Sequence, residues 1–345
     1  MSEKELRFGV MGAGFWTRYQ LAAWREIGGA RPVAIYNRTR SRAEEIAASF
    51  GIPRVYDNPE AFFASEELDF VDIITAVETH APFVELAARH GVPAICQKPM
   101  ATSYDEARSM VEACRQAGVP LFIHENWRWQ RPLRELKKAL AEGAPGVGHP
   151  GAPFRARIHY CSSFPVFDNQ PFLRELERFI LTDMGSHILD VARFLFGEAR
   201  SVYCLTHRVT PGIAGEDVAT VVMAMERATV TCEISYASKT EIERFPETFV
   251  FVECERGSVE LAPDYWLRVT TERGTHARRV PPPRYAWADP VYDVVHASIA
   301  AANADFLRAL RTGTPPETTG EDNLKTVRLV FAAYESAEQN QVIHL

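Results

Sequence analysis

The run Leu6–Met11, L-R-F-G-V-M, passes directly into Gly12-Ala13-Gly14 and then into a helical pattern carried by Tyr19, Leu21, Ala22 and Trp24. That order constrains the chain more than any other feature. A strand that ends in G-x-G and opens a helix leaves backbone N–H groups and a helix N-terminus converging on one point. Such a turn suits a pyrophosphate. Gly12, Ala13 and Gly14, with Phe15 and Trp16 at the helix start, are the expected dinucleotide contacts. Thr17 stands where G-x-G-x-x-G has its third glycine, which implies a slightly wider approach of helix to strand.

The rest of the first third alternates strand and helix. Apolar runs of strand length cover 32–36, 70–75, 94–96 and 121–123, and helical patterns cover 42–50, 79–89 and 103–117. Gly51, Gly91 and Gly118 follow the three helices as left-handed caps. Strands alternating with helices of about three turns make βαβ units and a parallel sheet. The linker-like stretch Gly143–Gly151 precedes a change of character. Beyond it the runs are extended from 201 to about 270, and two helical patterns, 296–311 and 321–338, close the chain.

The expected class is α/β. A Rossmann doubly wound parallel sheet covers residues 1–127. An α+β domain with a mostly antiparallel open sheet covers 128–345. Val218–Met225 is apolar on both alternating faces, as is Phe249–Val252, so both faces of the second sheet are expected to be covered. A second subunit is the natural cover for one, giving a homodimer or homotetramer.

With 345 residues the chain exceeds what one core usually serves. Its formal charge of −7 argues against nucleic acid or an anionic membrane as partner. The start M-S-E-K-E-L-R-F lacks the apolar segment of a signal peptide, and no window reaches the 18 or so apolar residues of a membrane span. The six cysteines form no C-x-x-C pair, which suggests a cytoplasmic protein with buried thiols. No His/Cys cluster has metal-ligand spacing, and no metal is expected.

Several residues could carry chemistry. The strand at 32–36 ends in Asn37-Arg38 where an acid usually binds the adenosine ribose. Asn37 can bond the ribose and Arg38 can pair with a 2′-phosphate, so the expected cofactor is NAD or NADP. Lys98 follows the strand at 94–96, at the edge where open α/β sheets place ligands. Pro99 keeps a helix from starting there. Such a lysine can polarise a substrate oxygen. Asp183 and His187 are four apart and share a helix face, with Gly185 and Ser186 keeping the surface low. Phe164 and Asp168, in the loop 162–172, and Trp127 suit a polyhydroxylated substrate. His80 and His124 lie at strand ends.

Taken in order, the Gly12-Ala13-Gly14 turn, Thr79-His80, x-Lys-Pro at 97–99 and Asp-x-Gly-x-His at 183–187 resemble the glucose–fructose oxidoreductase/inositol dehydrogenase (Gfo/Idh/MocA) family over nearly the whole chain. The resemblance implies NAD(P)-dependent oxidation or reduction of a sugar or polyol, with pentoses such as apiose as candidates. By position, Lys98 is similar to the family's catalytic lysine, and Asp183 and His187 to its second-domain catalytic pair. It also places Thr75, Ala76, Val77, His80 and Gln97 beside the cofactor. Gln97 replaces the usual Glu, which removes a charge next to Lys98. Asn126-Trp127-Arg128-Trp129 resembles the N-x-R-F segment, so Asn126, Trp127 and Arg128 join the expected cofactor contacts. Two other readings share these residues: glycoside elimination or hydrolysis with a tightly held cofactor, and a non-catalytic dinucleotide sensor.

Overall fold

The computed structural model describes residues 4–345. The chain divides into two compact units. The first contains the chain through Glu125 and the returning segment Ile299–Val327; the second contains Asn126–Ser298 and Arg328–Leu345. The return carries no linker-like sequence, because its borders lie inside two long helices, α9 (Asp293–Thr312) and α10 (Gly320–Gln339).

In the first unit β1 (Leu6–Met11), α1 (Phe15–Ile27), β2 (Ala30–Tyr36), α2 (Arg40–Phe50), β3 (Arg54–Tyr56), α3 (Pro59–Ser65), β4 (Phe70–Ile73), α4 (His80–Arg89), β5 (Ala94–Gln97), α5 (Tyr104–Ala117) and β6 (Leu121–His124) follow one another. The six strands are ordered β3-β2-β1-β4-β5-β6, all parallel. This is the doubly wound Rossmann arrangement, and its strand order reverses between β1 and β4. Ligands bind beyond the carboxyl ends of the strands at that reversal. β4 is buried at all four positions, as a parallel strand covered on both faces should be. In the core, Phe70 of β4 stacks on Phe8, and Trp24 packs tilted against both rings.

The sequence pattern marks β1, β2 and β4–β6 but not β3 or α3. β3 has three residues and none is fully buried, so it carries no apolar run. Helix α5 starts one residue later than the pattern suggests, because Ser103 is its cap and accepts from the Glu106 N–H. The returning segment closes the edge of the sheet: Ile123 and Thr318 exchange two hydrogen bonds, and Arg311 donates to the Gly29 carbonyl.

The second unit contains α6 (Arg131–Glu142), β7 (Pro153–Cys161), α7 (Val166–Asn169), α8 (Ser186–Phe196), β8 (Ala199–His207), β9 (Val218–Met225), β10 (Thr229–Ser235), β11 (Phe249–Cys254), β12 (Gly257–Ala262), β13 (Trp266–Thr271), β14 (Gly274–Arg279) and β15 (Ile343–His344). They form one nine-stranded sheet, β14-β13-β12-β11-β7-β10-β9-β8-β15. Only β7 and β10 pair in parallel.

Register separates the two faces. Cys204, Val221, Cys232, Ile158, Val250, Leu261 and Leu267 lie side by side across the strands, and all are buried. The opposite row contains Tyr203, Val222, Thr231, Arg157, Phe251, Glu260 and Arg268. It is open in the single chain, where Phe251 is 43% exposed and Val222 38%. The edge strand β14 escaped the sequence reading because its residues are nearly all exposed and polar. No helix among the described residues is long and apolar enough to cross a membrane.

Candidate active site

At the β1–α1 turn, Gly12 adopts φ 109°, and a Cβ there would come within 2.2 Å of the Ile74 carbonyl oxygen. Only glycine fits. Gly14 differs: a Cβ on it would meet nothing within 4 Å. The space over Gly14 suits a group approaching the backbone closely, as a pyrophosphate does. Thr17 also closes the turn. Its side chain is fully buried, and its Oγ1 accepts from the Gly14 N–H and donates to the Gly12 carbonyl. The hydroxyl is a clasp across the turn. Ala13 N–H donates to Asn37 Oδ1 at 3.2 Å, and Asn37 Nδ2 donates to the Thr39 carbonyl. Asn37 therefore braces the turn against the end of β2. Arg38 is exposed beside it and makes no ion pair among the described residues. Phe15, Trp16 and Tyr19 form a partly exposed aromatic cluster on the first turns of α1.

The other expected cofactor contacts of this unit gather at the same edge of the sheet. Thr75, Ala76 and Val77 follow β4, and Thr79 Oγ1 bonds both Thr75 Oγ1 and the Ala76 carbonyl. Gln97 ends β5, and its Nε2 is buried with no hydrogen-bond partner. A buried amide in that state is costly unless a ligand completes it. With the room over Gly14, it shows that the residues present fit a dinucleotide. Lys98 follows half-buried, and its peptide bond to Pro99 is cis.

His80, expected beside the cofactor, is held between two backbone segments. It is 1% exposed, with Nε2 3.2 Å from the Thr75 carbonyl and Nδ1 3.0 Å from that of Pro99. Burial lowers its pKa, while the backbone carbonyls on both ring nitrogens act in the opposite sense. It ties the loop after β4 to the turn that carries Lys98. His124 is likewise internal, joined through Asn303 to Gln20 in a buried network.

In the second unit Asp183 lies in a π-helical turn, Leu181–Gly185, that runs into α8. A plain α-helical start was expected. The difference follows from Glu216, whose carboxylate accepts from the N–H groups of Phe179 and Leu181 while its own carbonyl accepts from Ile180. The amides of this entry are thus satisfied from another segment, and the turn is free to widen; such π-turns are frequent at functional sites. Tyr236 Oη donates to Asp183 Oδ2 at 3.4 Å. Burial, and for Tyr160 next the Asp183 charge, push the Tyr160 and Tyr236 phenols well above their ordinary range, so both stay protonated as donors.

His187 is 3% exposed, and its ring lies flat on the Trp127 indole, with centroids 3.9 Å apart and planes 22° from parallel. The segment Asn126–Trp129, expected beside the cofactor, is anchored by its own side chains. Trp127 Nε1 donates to Thr248 Oγ1, and Asn126 Nδ2 donates to Ser298 Oγ. Arg128 forms a bidentate pair with the fully buried Asp190 at 2.6 and 2.7 Å. Asn126, Trp127 and Arg128 are all buried. Phe164 stacks on Phe245 at 3.8 Å with Tyr292 edge-on, and Asp168 is exposed nearby in the chain. The sequence pattern gave no sign of Tyr236, Tyr160 or Thr248, which reach the site from other strands and a loop.

Two family models match the chain. One describes an oxidoreductase family with an NAD-binding Rossmann fold and covers residues 6–125; the other is the Gfo/Idh/MocA C-terminal domain and covers 133–260. The chain belongs to the Gfo/Idh/MocA family. It is an NAD-binding oxidoreductase, and the first unit is its dinucleotide domain. Within the family, the chain is 43% identical to a D-apiose dehydrogenase from Paraburkholderia graminis, over 99% of this chain and 90% of that one. A D-apiose dehydrogenase from Rhizobium rhizogenes is 40% identical, over 100% and 99%. The crystal structure of an oxidoreductase from Agrobacterium radiobacter in complex with NAD+, L-tartaric acid and magnesium superposes with a TM-score of 0.95. It is 41% identical, with 99% of this chain and 98% of that chain covered.

Proposed function

We propose that the protein is an NAD-dependent dehydrogenase of a small aldose, with D-apiose its best substrate, oxidised at the anomeric carbon to the lactone. The full-length likeness to two D-apiose dehydrogenases carries the substrate class. The turn at Gly12–Gly14, the loop Thr75–Val77 and Gln97 would hold the dinucleotide. When bound, the nicotinamide supplies hydride acceptance from the substrate carbon. His187 takes the proton from the hydroxyl on that carbon as general base. Lys98 donates a hydrogen bond to the same oxygen and offsets the negative charge that develops there. Asp183, held by Tyr236, binds the adjacent hydroxyl, and Phe164 and Asp168 present an aromatic face and an acceptor to the rest of the sugar. NADP is accepted too, because no acid ends β2 and Arg38 is available for a 2′-phosphate.

The open face of the nine-stranded sheet supports a homodimer or homotetramer: Leu205, Val222, Phe251 and Trp266 are large apolar groups exposed on it. Six free cysteines, mostly buried, support a cytoplasmic setting. A panel of aldoses and polyols, followed by nicotinamide absorbance with NAD and NADP in parallel, tests the reading. D-apiose should give the highest kcat/KM. Reduction with polyols and none with any aldose would overturn the substrate class. Light scattering should give at least twice the chain mass of 38.8 kDa.

A further inference from the structure

The flat contact between Trp127 and His187 has chemical content. Both nitrogens of an imidazole present their lone pair or N–H in the plane of the ring. Whatever fixes that plane fixes the line along which His187 can take a proton. Trp127 covers one face of the ring at 3.9 Å and 22°. That is closer than the 4.5–7 Å at which aromatic pairs usually settle, and nearer parallel than an edge-to-face pair. The indole has little freedom of its own. It is 4% exposed, its Nε1 donates to Thr248 Oγ1 at 3.1 Å, and Tyr160 packs on it at 6.4 Å with ring planes 71° apart. Its backbone lies in a one-turn 3₁₀ helix, Asn126–Trp129. The residues on either side are anchored by Asn126 to Ser298 and by Arg128 to Asp190. Asp190 belongs to the same helix as His187, so the Arg128 pair fixes the distance between the Trp127 backbone and α8.

We infer that Trp127 is a positioning residue for the reaction, a rigid floor that sets the plane of the His187 ring, with Thr248 holding the floor in register. This rests on the reading of His187 as general base. A catalytic group displaced by about 1 Å costs on the order of a hundredfold in rate, with little effect on ground-state binding. Loss of the floor should therefore appear in kcat and not in KM. The role belongs to the aromatic plane. Phenylalanine should supply most of it, and leucine, which has no ring, should not.

The test is a double-mutant cycle on the full-length protein with its best aldose substrate. Trp127→Leu should lower kcat by roughly 10- to 100-fold with KM within about threefold, and Trp127→Phe should recover most of that loss. Thr248→Val, which leaves the indole N–H without its acceptor, should lose a few-fold. In a His187→Ala background, Trp127→Leu should cause no further loss, because the residue it positions is gone. A crystal structure of Trp127→Leu should show the His187 ring turned from its present plane. Equal losses from Trp127→Leu in the wild-type and His187→Ala backgrounds would make the tryptophan a general structural element and overturn the inference. So would wild-type kcat in Trp127→Leu, or an unmoved His187 ring. If His187→Ala itself keeps full activity, the general-base reading fails first, and that outcome is distinct from failure of the positioning role alone.

Discussion

The dinucleotide turn and the surroundings of His187 are assembled by opposite means. Around Gly12–Gly14 the groups that matter are neighbours in sequence. Thr17 reaches three residues back to Gly14 and five to Gly12, and Asn37 arrives from the next strand. Around His187 almost nothing is local. Tyr236 is 53 residues from the Asp183 it bonds, Arg128 is 62 from Asp190, and Thr248 is 121 from Trp127. The turn is set by a backbone conformation that only glycine adopts freely; the His187 environment is set by packing and buried ion pairs. A local device can be tuned at one residue, whereas a packed one couples residues distant in sequence.

Breaking the packed side should have the largest effect. Asp190→Ala leaves Arg128 and Arg193 buried without their shared carboxylate, with side chains 7% and 3% exposed. Loss of one partner from such a cluster costs about 3–5 kcal/mol, to be read from denaturant unfolding. Turnover should fall with it, because Trp127 and α8 lose their tie.

The first unit contains the inverse case. Asp72 is fully buried with the Trp24 indole N–H on one oxygen and nothing on the other. Burial pushes its carboxyl up to about 7 from an ordinary value of 3.8. In the folded state it therefore stays protonated where the unfolded chain has already ionised. Its contribution is most favourable below about pH 4 and is lost as pH rises toward 7, a span worth a few kcal/mol. Asp72→Asn should flatten that part of the stability–pH curve and leave NADH affinity unchanged. Parallel curves for the two proteins would show that Asp72 is already ionised.

The smallest effect should come from the local device itself. Thr17→Val keeps the shape and removes the clasp, so it should cost about 1 kcal/mol of stability. Fluorescence titration should show NADH bound a few-fold more weakly. A change in kcat without a change in NADH affinity would contradict the division drawn here.

The same contrast explains what could be read from the sequence. The six-stranded doubly wound sheet was legible because β4, β5 and β6 are short, mainly apolar runs and Gly51 and Gly118 end their helices in the left-handed conformation. The Gly12–Gly14 turn was legible because its requirement is conformational and sits at fixed spacing. His80 could be placed at the right edge of the sheet, but nothing in Thr79-His80 tells that both ring nitrogens face backbone carbonyls. The contact of Trp127 with His187 was hidden for a related reason, since nothing local in the sequence tells a tryptophan after a strand that it meets a histidine sixty residues away. The π-turn at Asp183 depends on Glu216 and could not be seen from spacing within Leu181–Gly185.

The central claim is that the first unit binds the dinucleotide without help from His187, and that His187 then takes the substrate proton. One preparation of His187→Ala measures both, by NADH titration and by turnover of the best aldose. NADH affinity should match the wild type, and kcat at neutral pH should fall by at least about a hundredfold. Turnover within a few-fold of the wild type would contradict the account.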